Sequence, residues 1–74
     1  MNSLHDQRYR KLIARLKKAR LDKGMNQSEV AELVKRPQSF MSKIENSERR
    51  LDALELCDLM GVYELEWDEL VKGI

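Results

Sequence analysis

The stretch that decides the fold runs from Asn26 to Asn46 and reads NQSEVAELVKRPQSFMSKIEN. Asn26 is followed three residues later by Glu29, which is the pattern of a capping box. In this motif the two side chains bind free backbone N–H groups at the start of a helix. Pro37 suits the first position of a second helix, because the N–H that proline lacks would be unpaired there. The stretch therefore predicts two short helices joined by a tight turn.

The second of these helices has an apolar side and a polar side. At about 100° per residue, Phe40, Met41 and Ile44 fall together on one side, and Glu45 lies at its border. The other side carries a row of polar residues: Gln38, Ser39, Ser42, Lys43 and Asn46. The major groove of DNA, about 12 Å wide, admits one helix of this kind. Two helices with this arrangement have the layout of a DNA-reading helix-turn-helix.

Helical spacing predicts three further helices and no strand, so the fold class is all-α with five helices. Helix 1 is expected over about 6–23 with Gly24 as its cap, helix 4 over 52–61 and helix 5 over about 64–72. Asp52 and Glu55 give helix 4 a second capping box. The residues expected to face the core include Tyr9, Leu12, Ile13 and Leu16; Val30, Ala31, Leu33 and Val34; and Ala53, Leu56 and Met60 with Leu59 and Cys57 nearby.

Length and charge restrict the function. Seventy-four residues make one domain, and a chain of this size buries only about 60% of its unfolded surface, so it gains stability from dimerisation. The net charge is only +1, but residues 1–50 hold 13 Lys and Arg against 6 Asp and Glu, whereas residues 51–74 hold 1 against 7. A basic front can face phosphates. The acidic rear is interpreted as a solvated surface.

The composition argues against several other kinds of function. One cysteine and one histidine are too few for an internal disulfide or for the ligands of a zinc site. The sequence also contains no catalytic nucleophile–base pair and no phosphate-binding loop motif. No apolar run approaches the roughly 18 residues that span a bilayer, and the N-terminus lacks a signal-peptide core. We therefore expect no enzyme, metal, cofactor or small-molecule ligand, and a cytoplasmic, nucleoid-associated protein. Cys57 is interpreted as a small buried residue, with redox sensing as the alternative.

The chain resembles the lambda-repressor-like (XRE/Cro-type) helix-turn-helix family over about residues 16–70. The resemblance is carried by Leu16, Arg20, Gly24, Asn26, Gln27, Ala31, Gln38, Ser39, the run from Ser42 to Glu45 and the Leu-Met-Gly-Val at 59–62. It implies a five-helix bundle in which helices 2 and 3 read DNA, usually as a homodimer. Lys35 and Ser47 stand where the family usually has glycine, and Pro37 where it often has a serine or threonine cap. A lysine at positive φ costs roughly 1 kcal/mol, unless the turn is shaped differently here.

The polar side of helix 3 supplies the candidate base-reading residues: Gln38, Ser39, Ser42 and Lys43. The amide of Gln38 can donate and accept at once, which suits adenine, and the resemblance places a base-reading glutamine at this position. Gln27 follows a helix cap, where free N–H groups suit a phosphate. The other phosphate candidates are Lys35, Arg36, Asn46, Ser47, Arg49 and Arg50. Any one of these residues alone could be a solvated surface residue, and for Lys35 and Arg36 an ordinary exposed turn is an equal alternative.

The resemblance also pairs Arg20 with Glu45 as a structural ion pair between helices 1 and 3. Phe40 is interpreted as partly buried core, with a thymine methyl contact as the alternative. In the helix 5 region, 62–74, four residues are too apolar for a surface: Trp67, Leu70, Val71 and Ile74. Part of this set must complete the core, and the rest is a candidate dimer interface. Trp67 is either the anchor of that interface or plain core packing.

These observations predict a small homodimeric, sequence-specific transcriptional regulator that binds double-stranded DNA at a palindromic or near-palindromic operator. With no ligand domain in 74 residues, regulation is expected through protein level, dimerisation or a partner. A phage or mobile-element repressor and a restriction–modification controller fit this description. The alternative is an antitoxin of the helix-turn-helix type, which binds a toxin partner as well as DNA. Contact of the acidic rear with RNA polymerase is a further partner hypothesis.

Overall fold

Five α-helices follow a short 3-10 helix (Ser3–His5) in a computed structural model that describes residues 3–74. No strand occurs within residues 3–74, so the predicted all-α, five-helix class is confirmed. None of these helices combines the length and the apolar character needed to cross a membrane. The helices are α1 (Gln7–Asp22), α2 (Gln27–Leu33), α3 (Gln38–Glu45), α4 (Ala53–Tyr63) and α5 (Trp67–Val71).

The helix starts follow the predicted caps closely. The side chain of Asn26 accepts from the N–H of Glu29, whose carboxylate accepts from the N–H of Asn26, and Asp52 and Glu55 form the same box. Pro37 is the cap residue of α3 and not its first helical residue, and no side chain caps that helix. The start of α3 therefore lies one residue later than the sequence predicts.

The turn between α2 and α3 has the geometry that usually requires glycine. The N–H of Arg36 donates to the Ala31 carbonyl at 2.9 Å and that of Lys35 to the Glu32 carbonyl at 3.2 Å, the bonding pattern of a Schellman motif. Lys35 takes a φ of +58°, and Ser47, after α3, takes +56°. Both are left-handed conformations that are unfavourable for residues with a Cβ atom.

The core lies where the five helices meet. Its most buried apolar side chains are Ile13, Leu16, Val30, Ala31, Phe40, Met41, Ile44, Leu59, Tyr63 and Leu70. Two charged residues, Arg20 and Glu55, are buried beside them. Burying charge is unfavourable unless the charge is paired and hydrogen-bonded, so both residues must have partners in the structure.

The buried face of α4 differs from the predicted one. Ala53 and Cys57 are exposed, and Leu56 is only half-buried, whereas Glu55 and Leu59 lie inside. The prediction that Cys57 is buried is therefore wrong. The sequence pattern predicts Glu55 at the surface, so the apolar face it predicts for α4 points in a different direction from the observed one. Glu55 can be buried because arginine partners from elsewhere in the chain pair with it.

Helices α2, α4 and α5 show smaller departures. Leu33 is exposed and not inward, because Val30, Ala31 and Val34 already fill the arc that faces the core. Helix α4 continues past Gly61 to Tyr63, and Glu64 ends it with a φ of +56°. Helix α5 is shorter than predicted, since the chain becomes helical again only after Glu66.

Candidate nucleic-acid interface

The polar side of α3 is open to solvent as the sequence predicts. Gln38, Ser39, Lys43 and Asn46 are exposed, and Ser42 is half-buried. Phe40, Met41 and Ile44 anchor the opposite side in the core, so the helix cannot rotate without exposing them. The tertiary structure thus fixes which α3 side chains can meet a partner.

One flank of this polar side carries a continuous chain of side-chain hydrogen bonds, which we call the amide–carboxylate chain (Gln38, Gln27, Glu45 and Arg20). The Nε2 of Gln38 donates to the Oε1 of Gln27 at 2.6 Å. The Nε2 of Gln27 donates to Glu45 Oε1 at 2.9 Å. The chain therefore links the first residue of α3 to a charge in the core.

The buried end of this chain is the predicted ion pair. Arg20 Nε donates to Glu45 Oε2 at 2.7 Å and Nη2 donates to Oε1 at 2.9 Å, while Nη1 donates to the Met25 carbonyl at 2.9 Å. Only 8% of the Arg20 side chain and 4% of the Glu45 side chain are exposed. The hydrogen bonds to Glu45 raise the pKa of Arg20 above its ordinary value. The pair joins α1 to α3 and fixes the position of Gln27.

The amide–carboxylate chain orients Gln38, which the sequence did not reveal. Gln27 is half-buried, and its amide has fixed orientation because its nitrogen is bound to Glu45. Its oxygen then accepts one N–H of Gln38, and because Gln38 is exposed, its carbonyl oxygen and second N–H are available to a partner. Gln27, predicted as a phosphate contact, is thus also the residue that holds Gln38 in place.

The other flank of α3 carries a second network, which we call the arginine cluster (Arg36, Phe40, Arg49 and Glu55). Arg49 Nη1 and Nη2 donate to the two carboxylate oxygens of Glu55 at 2.7 and 2.8 Å. Arg36 Nη2 lies 3.1 Å from Glu55 Oε2. The guanidinium carbons of Arg36 and Arg49 lie 5.2 and 5.1 Å from the centre of the Phe40 ring, within the range of a cation–π contact.

This network explains the burial of Glu55 in α4. The hydrogen bonds from Arg49, ahead of all other influences, hold the pKa of Glu55 below its ordinary value of 4.5, and they raise the pKa of Arg49. Arg49 was predicted as a phosphate contact, and Arg36 as either a phosphate contact or part of an ordinary exposed turn. The structure places both against one internal carboxylate, although Arg36 precedes α3 in the chain and Arg49 follows it.

The loop between α3 and α4 is held from α1 as well. The hydroxyl of Tyr9 donates to the Arg49 carbonyl at 3.3 Å and accepts the N–H of Leu51 at 3.2 Å. These contacts join residues about forty positions apart in the chain, so no local pattern could have predicted them. They fix the backbone from which Arg49 extends.

The family model described as helix-turn-helix matches residues 16–70, which is most of the chain. This chain belongs to the helix-turn-helix family. The lambda-repressor-like (XRE/Cro-type) resemblance is thereby confirmed, and the chain is a DNA-binding helix-turn-helix regulator in its general class. No curated protein matches it at a significant level.

In this helix-turn-helix domain the remaining predicted phosphate residues surround α3 without forming one site. Within residues 3–74, Lys35 and Arg50 are exposed and take part in no described ion pair. Asn46 Nδ2 donates to the hydroxyl of Ser42 at 3.4 Å, and Ser47 is half-buried in its left-handed turn. No group of three or more His, Cys, Asp or Glu residues in the described part of the chain has the arrangement of a metal site.

The predicted interface residues of the helix-turn-helix domain divide into two groups. Leu70 is fully buried and completes the core of the single chain, which the Arg15 Nη1 bond to its carbonyl at 2.9 Å reinforces. Trp67 is 54% exposed, so it is not core packing. Ile74 is exposed as well, and Val71 is half-buried. Trp67 and Ile74 are the members of the set that a partner could cover.

Proposed function

We propose that this helix-turn-helix protein is a sequence-specific transcriptional regulator that binds a palindromic or near-palindromic operator as a small homodimer. Residues 1–74 act as one DNA-binding domain in this proposal. Gln38, Ser39, Ser42 and Lys43 of α3 contact base edges in the major groove. A repressor of a phage or mobile element, or a controller of a restriction–modification locus, is the kind of regulator that fits, in the cytoplasm and associated with the nucleoid.

The observation that carries the proposal is the orientation of Gln38 by the amide–carboxylate chain. A glutamine reads adenine by pairing its amide with N6 and N7, which requires a defined orientation of that amide. The bond from Gln38 to Gln27 supplies this orientation before DNA is bound. An exposed glutamine on an ordinary solvated helix would have no such support.

The charges on both flanks of α3 support the same proposal. Gln27 lies on one side near the start of α2, where a side-chain amide and free N–H groups suit a phosphate. Arg36 and Arg49 of the arginine cluster lie on the other side, and the exposed Arg50 follows Arg49 in the loop. A helix in the major groove has a phosphate backbone on each side, so contacts from both flanks set its register.

The apolar residues that the single chain leaves exposed near its end support a homodimer. Trp67 and Ile74 are exposed at the end of the chain that carries α5, and Trp67 has the size of an interface anchor. Two copies joined there would present two α3 helices. Half-sites about 34 Å apart, one turn of DNA, are the spacing such a dimer requires.

Selection of binding sites from random duplexes tests DNA reading, symmetry and spacing in one experiment. We expect an enriched sequence with two inverted half-sites about one helical turn apart. Affinity should fall steeply as salt rises, because phosphate contacts release counterions. If no duplex is enriched over competitor DNA at low ionic strength, sequence-specific binding is excluded.

The oligomeric state tests the interface separately. We expect Trp67→Glu to convert a dimer, measured by sedimentation equilibrium, to a monomer and to weaken operator binding. Leu54→Glu is the matched control, since Leu54 is even more exposed but lies on α4. A dimer that survives Trp67→Glu and dissociates with Leu54→Glu would move the interface to α4.

A second candidate function is an antitoxin that binds a toxin as well as DNA. The exposure of Leu33 on α2 and Leu54 on α4 favours a protein partner in addition to a second copy of the chain. Co-purification with a small protein encoded next to this one, lost with Leu54→Glu, would support it. RNA polymerase is the other protein partner to test, through the acidic surface of residues 52–69.

A further inference from the structure

The arginine cluster brings together residues from four separate places. Arg36 follows α2, Phe40 lies in the first turn of α3, Arg49 lies in the loop after α3, and Glu55 belongs to α4. Arg36 and Arg49 share one oxygen, Glu55 Oε2, with their Nη2 atoms 3.1 and 2.8 Å from it. The two guanidinium groups are therefore close neighbours although they lie thirteen positions apart in the chain.

The charges of the cluster do not balance. Two guanidinium groups meet one carboxylate, so the cluster retains one positive charge. The carboxylate is internal, with 3% of the Glu55 side chain exposed, whereas 44% of Arg36 and 39% of Arg49 are exposed. The positive side of the cluster thus faces solvent and its negative side faces the core.

Each arginine keeps hydrogen-bond capacity toward solvent. The bonds of Arg49 to Glu55 and to the Arg50 carbonyl use three of the five N–H groups of a guanidinium. The contacts with Phe40 and Glu55 also limit the rotamers that either arginine can adopt. A planar fork of donors held in this way matches the oxygens of a phosphate and loses little entropy on binding one.

We infer that Glu55 is a positioning residue that holds Arg36 and Arg49 as a paired clamp for one phosphate of the DNA backbone. The inference rests on the proposed function and assigns a DNA contact to the flank of α3 that carries the arginine cluster. Glu55 touches no DNA in this arrangement; it acts through the two arginines, which both also contact the Phe40 ring. The hydroxyl of Tyr9, bonded to the backbone of Arg49 and of Leu51, holds the loop from which Arg49 extends.

The decisive test compares Glu55→Gln with Glu48→Gln in the full chain. Both remove one negative charge near α3, and Glu48 is exposed on the same loop as Arg49. Simple electrostatics predicts that both variants bind DNA more tightly. Positioning predicts that Glu48→Gln binds slightly more tightly while Glu55→Gln binds all duplexes about 3- to 10-fold more weakly, with no change in base preference, as for loss of a phosphate contact.

Circular dichroism at the assay temperature establishes that each variant is folded. A folded Glu55→Gln protein that binds as tightly as Glu48→Gln overturns the inference. If Glu55→Gln does not fold, Arg36→Lys and Arg8→Lys decide, because each keeps its charge and Arg8 is an exposed α1 residue paired with Asp6. We expect several-fold weaker binding for Arg36→Lys, which loses the planar fork of donors, and parent-like binding for Arg8→Lys.

Equal affinities for those two lysine variants would also overturn the inference. A different outcome would refute the proposed function: the parent chain itself binds no duplex. In that case the clamp is refuted as well. If the parent selects an operator but Glu55→Gln binds DNA at least as tightly as Glu48→Gln, only the clamp is refuted and the proposed function stands.

Discussion

The two flanks of α3 each place an acid against arginine, but they do so at different depths. In the amide–carboxylate chain both charges of the Arg20–Glu45 pair are buried, and the chain ends at the exposed amide of Gln38. In the arginine cluster only Glu55 is buried, and both guanidinium groups reach solvent. The first flank therefore presents a neutral, directional group, and the second presents charge.

This difference matches what DNA offers at the two places. Base edges are distinguished by the direction of donors and acceptors, so an oriented amide is the useful group there. Phosphates differ little from one another and respond to charge, so exposed guanidinium groups are useful beside the backbone. One flank thus supports specificity and the other affinity, and variants of each should separate these two properties.

The largest effect is expected from Glu45→Ala in the buried pair. It leaves Arg20 buried without its partner, which should lower the free energy of unfolding by about 3–5 kcal/mol. Urea unfolding followed by circular dichroism measures the loss. Glu48→Ala, on the exposed loop, should leave stability nearly unchanged. Equal melting temperatures for Glu45→Ala and the parent would show that the pair does not hold the fold together.

Gln38→Ala should have the next largest effect, on specificity and not on stability. It should relax preference at one base position of each half-site and weaken binding by about 1–3 kcal/mol there. Gln27→Ala is its companion: it should weaken binding to all sequences through the lost phosphate contact, and it should also partly relax preference at the Gln38 position, because Gln38 loses its hydrogen-bond partner. Repeating the duplex selection with both variants makes the comparison. Unaltered base preference in Gln38→Ala would refute its assignment as a base reader.

A smaller effect on stability is expected when the pH is lowered, and it arises from Glu55 in the arginine cluster. Because the pKa of Glu55 is lower in the folded chain than its ordinary 4.5, its ionised form contributes stability above about pH 4.5, and that contribution disappears as the pH falls through the folded pKa. The melting temperatures of the parent and Glu55→Gln should therefore converge as the pH falls below 4.5. Glu48→Gln should stay parallel to the parent. Parallel curves for Glu55→Gln would contradict the ionic contact.

The smallest effect is expected at the turn that leads into the arginine cluster. Lys35→Gly removes the strain of a left-handed lysine, but glycine also raises the conformational entropy of the unfolded chain. The free energy of unfolding is therefore expected to rise by less than about 1 kcal/mol. Ser47→Gly, at the same kind of φ, should act in the same direction. Lys43→Gly, inside α3, should instead destabilise by up to about 1 kcal/mol. A loss of stability with Lys35→Gly would mean that its side chain contributes contacts that outweigh the strain.

Much of the fold could be predicted because its determinants are local. Capping boxes join residues three positions apart, as at Asn26 and Asp52, and apolar spacing repeats within each helix. The same periodicity placed the polar side of α3 outward. It failed for α4, where a charged residue lies inside, and for Cys57 and Leu33, which the pattern placed in the core and the structure leaves exposed.

The sequence by itself determined five helices, a tight turn between the second and third, and the row of polar residues on α3, whereas the left-handed conformation of Lys35 in that turn came from the structure. Only the tertiary structure decided that Gln27 orients Gln38 and that Glu55 is buried between two arginines. The physical reason is the range of the forces involved. Helix formation depends on neighbours within one turn, whereas burial of a charge depends on partners that folding brings from distant parts of the chain.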